Sequence, residues 1–325
     1  MLHKIGIEET FAIPETLACS EKYFPKEVWP KFSSQILDFM KYRVEEMDQY
    51  GMDMMILSLN SPAIQAIYNK KEAIEVAKKA NNVMAEAMQK DSKRFRGFAA
   101  LPMQDPDAAI EEMHRAVKEY GCLGVLVNGY SQIDTPDEYK YLDDPMYRPF
   151  WAEVEKLDIP FYLHPREPMP CNNMALDGHP WLYGAAWTFG VETATHALRL
   201  MSSGIFDEHP KLKLILGHLG EMLPFCIWRT SNRIKREKRG IPAKLPLTEY
   251  MSKNMWFTTS GQHRTAALMN TIMEFGSDRI LFATDFPFEE IKEACEWFDT
   301  CAISENDRLK IGRTNSIDLF NLDIK

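Results

Sequence analysis

Glu8 in KIGIEETF, His164 in PFYLHP and Asp285 in RILFATDFP each stand at the polar end of a short apolar run. Together they make a carboxylate, imidazole and carboxylate set of the kind that holds a divalent ion with open coordination positions. Each alone has an ordinary explanation: a strand-end Asp can cap a helix, a His before Pro can satisfy backbone groups, and a rim Glu can form a salt bridge. Their recurrence at the same kind of place is what points to an ion. Side chains alternate along a strand, so Glu8 shares its face with Thr10, and Glu9 points the other way. A second pairing lies in GHLGE (217–221), where His218 and Glu221 sit at an expected strand-to-helix corner. There Glu221 can start and pack the helix, or set the orientation and basicity of His218 as a proton carrier. Arg229, in IWRTSNR, is either a helix-surface charge or a group reaching back to a substrate carboxylate.

The elements that must position these residues form a regular series. Eight β-rich runs recur: 4–9, 52–60, 96–102, 122–129, 160–165, 213–221, 255–261 and 279–287. Most are followed by polar segments with helical periodicity, such as 69–89 and 105–121, the second opening on Asp-Pro and closing on Gly. The alternation predicts an α/β fold, a (β/α)8 TIM barrel forming one domain over 1–325. Functional groups of such a barrel gather at the C-terminal ends of the strands, which here carry Glu8, Thr10, Asn60, Asn128, His164, His218, Glu221, Ser260 and Asp285. The Pro-, Gly- and Trp-rich segment 165–195 reads as a long loop after strand 5 that covers the mouth, and 235–250 as a solvated insertion.

Composition narrows the function. The net charge of −9, with both signs interspersed, argues against nucleic acid or an anionic membrane as the main partner. Six scattered cysteines without a C-x-x-C pair predict a reduced, intracellular protein. No apolar run approaches the roughly 18 residues of a membrane span, so the expectation is a cytoplasmic enzyme.

Long ordered motifs carry a resemblance across essentially the whole chain: EETFAIPET (8–16), GVLVNGYSQ (124–132), DGHPWLYG (177–184), IFDEHPKL (205–212), LGHLGEMLPF (216–225), RILFATDFPFE (279–289) and KIGRTNSIDLFNL (310–322). The sequence resembles the amidohydrolase superfamily, and more closely its non-oxidative aromatic decarboxylases, which act on γ-resorcylate (2,6-dihydroxybenzoate) or 2,3-dihydroxybenzoate. That resemblance implies metal ligands at Glu8, His164 and Asp285, a proton donor at Asp285, and His218 backed by Glu221 to manage the phenolic proton. It implies Tyr23, Asn128, Arg229 and Phe288 around a small aromatic hydroxy acid, one divalent ion (Mn2+, Zn2+ or Mg2+), no organic cofactor, and a homotetramer or homodimer. The expected reaction, a step of aromatic compound degradation, is reversible decarboxylation of an ortho-hydroxybenzoate, first 2,6-dihydroxybenzoate, with 2,3-dihydroxybenzoate or salicylate as alternatives.

Two positions depart from the pattern. Thr10 stands where the bacterial γ-resorcylate enzymes place a histidine, so fewer nitrogens should favour Mg2+ or a more hydrated Mn2+. Tyr23 stands where those relatives tend to have Phe. A lactone or amide hydrolase of the same superfamily is the rival reading, set back by the absence of a lysine from VLVNG on strand 4. A barrel whose site decayed at Thr10 is a further rival.

Overall fold

A computed structural model of the chain describes residues 3–172 and 176–324. Eight parallel strands pair in chain order: β1 (Lys4–Phe11), β2 (Met52–Leu59), β3 (Phe95–Ala100), β4 (Gly124–Asn128), β5 (Pro160–His164), β6 (Lys213–Leu216), β7 (Met255–Thr258) and β8 (Ile280–Leu281). The sequence reading carries the last strand to residue 287, whereas regular pairing with β7 stops at Leu281. The chain beyond nevertheless runs along β1. Ile7 N donates to Phe282 O at 3.1 Å, Asp285 N to Glu8 O at 3.0 Å, and Thr10 N to Phe286 O at 2.7 Å. These bonds close the sheet into a barrel.

Side chains fill the interior, as in any barrel of this size. Ile5, Ile7, Met54, Ile56, Phe98, Leu126, Tyr162, Ile215, Leu281 and Ala283 pack there, and Leu319, Phe320 and Leu322 from the C-terminal segment pack against them. A larger apolar layer lies between the sheet and the helices. The helix Lys70–Lys90 shows how that layer is specified. Asn69 caps it by accepting from Glu72 N at 3.2 Å, and Ala73, Ala77, Ala80, Met84 and Ala87 line its buried face. The helix Pro106–Tyr120 is capped by Asp105, which accepts from Asp107 N and Ala108 N, and stops at Gly121 with φ 72°.

The register of β1 against β2 shifts at two places, between Lys4 and Ile5 and between Gly6 and Glu9. Gly6 pairs with Met55 and Glu9 with Leu57, so three steps on β1 match two on β2. This bulge leaves Ile7 in the interior cluster, brings Glu8 inward as well, and turns Glu9 to the outer layer. Glu9 is fully buried and accepts from Thr284 N at 3.0 Å and from Thr284 Oγ1. Burial pushes its pKa up to about 8 against those hydrogen bonds.

Other segments depart from the sequence reading. Three short helices, Pro14–Glu21, Trp29–Ile36 and Tyr42–Tyr50, fill the connection from β1 to β2 without a strong periodic signal. The expected insertion 235–250 is not wholly solvated, because Leu247 and Tyr250 are buried and Tyr250 Oη donates to Asp207 at 2.7 Å. A long segment does follow β5, but it ends at the helix starting at Thr188 and not at 195, and 173–175 lie outside the described residues. It is tied down by Ser61 Oγ on Pro165 O at 2.6 Å and Tyr130 Oη on Glu167 O at 2.8 Å. The Glu167 carboxylate takes Gly184 N and, at 2.7 Å, Thr188 Oγ1, so the segment folds back on itself before the helix Thr188–Ser202. Cys19, Cys122, Cys226, Cys295 and Cys301 are free thiols, and no described helix is long and apolar enough to cross a membrane.

Two stability measurements check this architecture. A Cβ at Gly6 would lie 2.3 Å from Glu9 Oε1 and 2.6 Å from Met52 Cε. Gly6→Ala is therefore expected to cost about 1–3 kcal/mol in urea unfolding, as overpacking does. His196 is fully buried, accepts from Leu142 N at 3.0 Å, and meets Tyr141 edge-on at 4.8 Å. Burial pushes its pKa down to about 3, so between pH 6.5 and 3 the unfolded chain binds a proton that the folded one does not. Its contribution is whole above pH 6.5 and is lost on acidification, about 2 kcal/mol by pH 5. His196→Gln is expected to lose correspondingly less stability than the wild type between pH 7 and pH 5.

Candidate active site

Glu8 and His164 meet at the C-terminal rim on opposite sides of Tyr162. Tyr162 lies two residues before His164 on β5, so both side chains project inward. The Tyr162 hydroxyl donates to Glu8 Oε2, and Thr258 Oγ1 donates to the same oxygen at 3.2 Å. The other oxygen, Oε1, is buried and carries no hydrogen bond, although His164 Nε2 is only 3.1 Å away. His164 Nδ1 donates to Pro165 O at 2.9 Å, which leaves the Nε2 lone pair facing Glu8.

Asp285 arrives from across the β1–β8 seam. Its backbone is left-handed, φ 71°, and its N–H is bonded to Glu8 O, so the two carboxylate residues are joined through the main chain. One donor atom each from Glu8, His164 and Asp285 lies within 4.8 Å of the other two.

Beyond β6 the chain does not turn directly into a right-handed helix. His218, Leu219, Gly220, Glu221 and Met222 all have positive φ, from 51° to 88°. This left-handed turn corrects the expected strand-to-helix corner, and it keeps residues three apart on one side. His218 Nδ1 meets Glu221 Oε1 at 2.6 Å, while His218 Nε2 points at Asp285 Oδ2, 3.8 Å away. Gly220 fits the turn because a Cβ there would meet Phe257 and Pro224 at 2.9 Å. Ser260 Oγ accepts from His218 N at 3.3 Å and lies 2.8 Å from Thr258 Oγ1, which joins the two halves of the site.

The electrostatics separate the two carboxylates. Burial works against the charge on Glu8, but His164 and His218 outweigh it and bring its pKa down to about 2. Burial, and then the Glu8 charge, raise that of Asp285 despite His218. His218 is itself opposed by burial, yet Glu221, Asp285 and Glu8 hold its pKa well above the ordinary value. Burial and the Glu8 charge push the Tyr162 phenol far up, so it remains a donor. Two carboxylates whose pKa values are pushed apart, beside an imidazole whose pKa is pushed up, thus share one rim, the pattern of acid–base chemistry.

The remaining expected residues are placed unevenly. Asn128 pairs in register with His164; its Nδ2 donates to Asn60 O at 3.0 Å, and its Oδ1 is buried without a partner. Asn60 Nδ2 is used to hold the helix Pro14–Glu21, through Thr16 O and Ser20 Oγ. Thr10 is buried, and its carbonyl accepts from Arg43. Tyr23 meets Phe189 edge-on at 5.5 Å and lines a cavity of about 800 Å3 with Lys22, Arg166 and Glu167. Phe189 also borders a second cavity, about 820 Å3, that contains His218 and Glu221. Phe288 packs on Phe24 and Phe32 in an aromatic cluster. Arg229 is not brought to the others: it is exposed, on the side of helix Leu223–Arg236 that also carries the exposed Phe225 and Trp228. Sequence reasoning missed Tyr162 and Thr258, whose inward alternation with His164 and Ser260 is the one signal that would have found them.

The three donors fit a divalent ion. A buried carboxylate oxygen without a hydrogen bond beside an imidazole lone pair is a costly arrangement unless a cation lies between them. With one nitrogen and carboxylate oxygens, the set leaves positions open for solvent or substrate.

Comparison with known proteins agrees with this geometry. The chain is 52% identical over 326 residues to the gamma-resorcylate decarboxylase of Rhizobium sp. (strain MTP-10005), covering 99% of each. It superposes with a TM-score of 0.97 on a crystal structure of 2,6-dihydroxybenzoate decarboxylase complexed with 2,6-dihydroxybenzoate, at 52% identity and covering 99% of this chain and 100% of that one. A dihydroxybenzoic acid decarboxylase from Polaromonas sp. JS666, solved with bound manganese and the inhibitor 2-nitroresorcinol, gives a TM-score of 0.97 at 50% identity, covering 100% of this chain and 98% of that one. Residues 32–322 match the amidohydrolase family, and the chain belongs to it.

Proposed function

We propose that this enzyme is a metal-dependent, non-oxidative decarboxylase that converts 2,6-dihydroxybenzoate to resorcinol and carbon dioxide. One observation carries the reading: the donors of Glu8, His164 and Asp285 converge within 4.8 Å, in a chain 52% identical end to end to a gamma-resorcylate decarboxylase. The manganese in the Polaromonas relative supports a divalent ion, and the donor set suits Mn2+ or Mg2+ as well as Zn2+. When bound, such an ion supplies Lewis acidity that gathers a carboxylate with its ortho hydroxyl and polarises the latter.

The chain's own residues then manage protons. Carbon dioxide leaves a planar ring slowly, because the breaking bond lies in the ring plane and its electron pair cannot join the π system. Protonation of the carbon that bears the carboxylate removes that obstacle. Asp285, whose hold on a proton is strengthened by burial and by the Glu8 charge, is the donor. Its proton goes to the ring carbon, the carbon–carbon bond breaks, the bonding pair restores the aromatic ring, and carbon dioxide departs. Asp285 regains a proton from solvent before the next turnover. His218, fixed by Glu221 at 2.6 Å and carrying its proton, donates a hydrogen bond to the ortho oxygen and stabilises the negative charge that develops there. Phe189 and Trp187 wall the cavity that holds His218 and Glu221, Tyr23 lines the neighbouring one, and Asn128 stands in register beside His164.

Assembly into a homodimer or homotetramer is supported by the helix that carries Arg229. On its outer face Phe225 is 85% and Trp228 66% exposed, an apolar surface of the kind a second copy covers. The free thiols of Cys19, Cys122, Cys226, Cys295 and Cys301 support a cytoplasmic setting.

A panel of hydroxybenzoates tests the reaction. With Mn2+ present, 2,6-dihydroxybenzoate is expected to release carbon dioxide faster than 2,3-dihydroxybenzoate or salicylate; chelation stops the reaction and added Mn2+ restores it. Lactone hydrolysis without carbon dioxide release would overturn the assignment. Asp285→Asn is expected to lower kcat by about 100-fold or more, and a near-normal rate would remove Asp285 from the proton transfer.

A further inference from the structure

Tyr162 is wholly enclosed by the barrel, its ring 5.9 Å from Phe98 and 6.3 Å from the His164 ring, and it borders neither cavity at the mouth. It therefore cannot touch a substrate. Its hydroxyl and that of Thr258 lie 3.0 Å apart and both bond Glu8 Oε2, while Glu8 Oε1 is left without a hydrogen bond beside His164 Nε2. The fit is close. A Cβ at Gly217 would stand 3.0 Å from Tyr162 Oη, 3.2 Å from Glu8 Oε2 and 3.3 Å from Ser260 Oγ.

A carboxylate can hold a divalent ion through one oxygen or through both, and what occupies the second oxygen decides between them. We propose that Tyr162, assisted by Thr258, is a positioning residue of the metal centre: by occupying Oε2 it makes Glu8 a one-oxygen ligand through Oε1. The inference rests on the metal reading above. It matters here because Thr10 offers no imidazole, so a larger share of the ion's anchorage falls on the aim of Glu8.

The test is Mn2+ binding by the full chain, free ion being followed by electron paramagnetic resonance and bound ion by its spectrum. The wild type is expected to bind one Mn2+ per chain. Tyr162→Phe is expected to bind it about 10- to 100-fold more weakly, with an altered spectrum of the bound ion. Thr258→Ser, which keeps the hydroxyl, is expected to bind as the wild type does. Thermal unfolding of the metal-free variants establishes that each is folded; if Tyr162→Phe is not, Thr258→Val replaces it, with a smaller expected loss of affinity. Unchanged affinity and spectrum in the folded variant would overturn the role of Tyr162 and leave the metal reading intact. A wild type that binds no Mn2+ would instead overturn the metal reading, and this inference with it.

Discussion

An ionised carboxylate with no solvent exposure is the constraint around which the rim is built. Glu8 sits above an interior of Ile, Phe, Met and Leu side chains, where a bare charge would be prohibitively unfavourable. Two hydroxyls, from Tyr162 and Thr258, and the imidazole of His164 make it tolerable. These partners come from β5 and β7, so stabilising one side chain on β1 fixes the relative height of three strands. The arrangement remains short of one partner at Oε1. Structure and chemistry meet at that deficit, since the group that best completes the site electrostatically is a cation.

The second dependence is the seam between β1 and the chain after β8. An ordinary parallel pairing would have aligned side chains two by two around the barrel. The bulge on β1 instead admits Glu8 to the interior immediately after Ile7, and the Asp285 N–H bonds the Glu8 carbonyl. Glu9, displaced outward, holds Thr284 through its backbone and its hydroxyl. Consecutive glutamates thus secure the same junction from its two faces, one within the barrel and one in the helix layer. Asp285 is placed by this junction more than by the strand before it, which has only two regularly paired residues.

Much of this was legible in the sequence. The eight apolar runs fall on the eight strands because burial on both faces leaves few other readings for a short Ile-, Leu-, Phe- and Met-rich run. Glu8, His164 and Asp285 could be collected from strand ends without coordinates, but Glu8 faces inward through the bulge after Gly6, where unbroken alternation from Ile5 and Ile7 would have turned Glu9 inward. What was hidden depends on contacts between distant segments. Register is a property of two strands, so the bulge leaves no mark on one. Tyr162 looks like any core aromatic until the carboxylate 154 positions away is seen beneath its hydroxyl. The left-handed path of 218–222 was concealed because only one of its five residues is glycine. Arg229 could be placed on a helix, but the side of the helix it occupies depends on which neighbours claim Ile227 and Leu223.

That left-handed path inverts the usual logic of stabilising a protein. Glycine normally loosens a chain, and replacing it is a standard route to higher melting temperatures. Along His218–Met222, however, four side-chain-bearing residues occupy a conformation that disfavours a Cβ by roughly 1–2 kcal/mol each. The molecule is held there by what it gains at the imidazole and carboxylate, not by local preference. Loop optimisation guided by backbone propensity would rewrite this corner toward the right-handed form, and the protein so obtained would be hardier but without the His218–Glu221 pair that the left-handed path holds together.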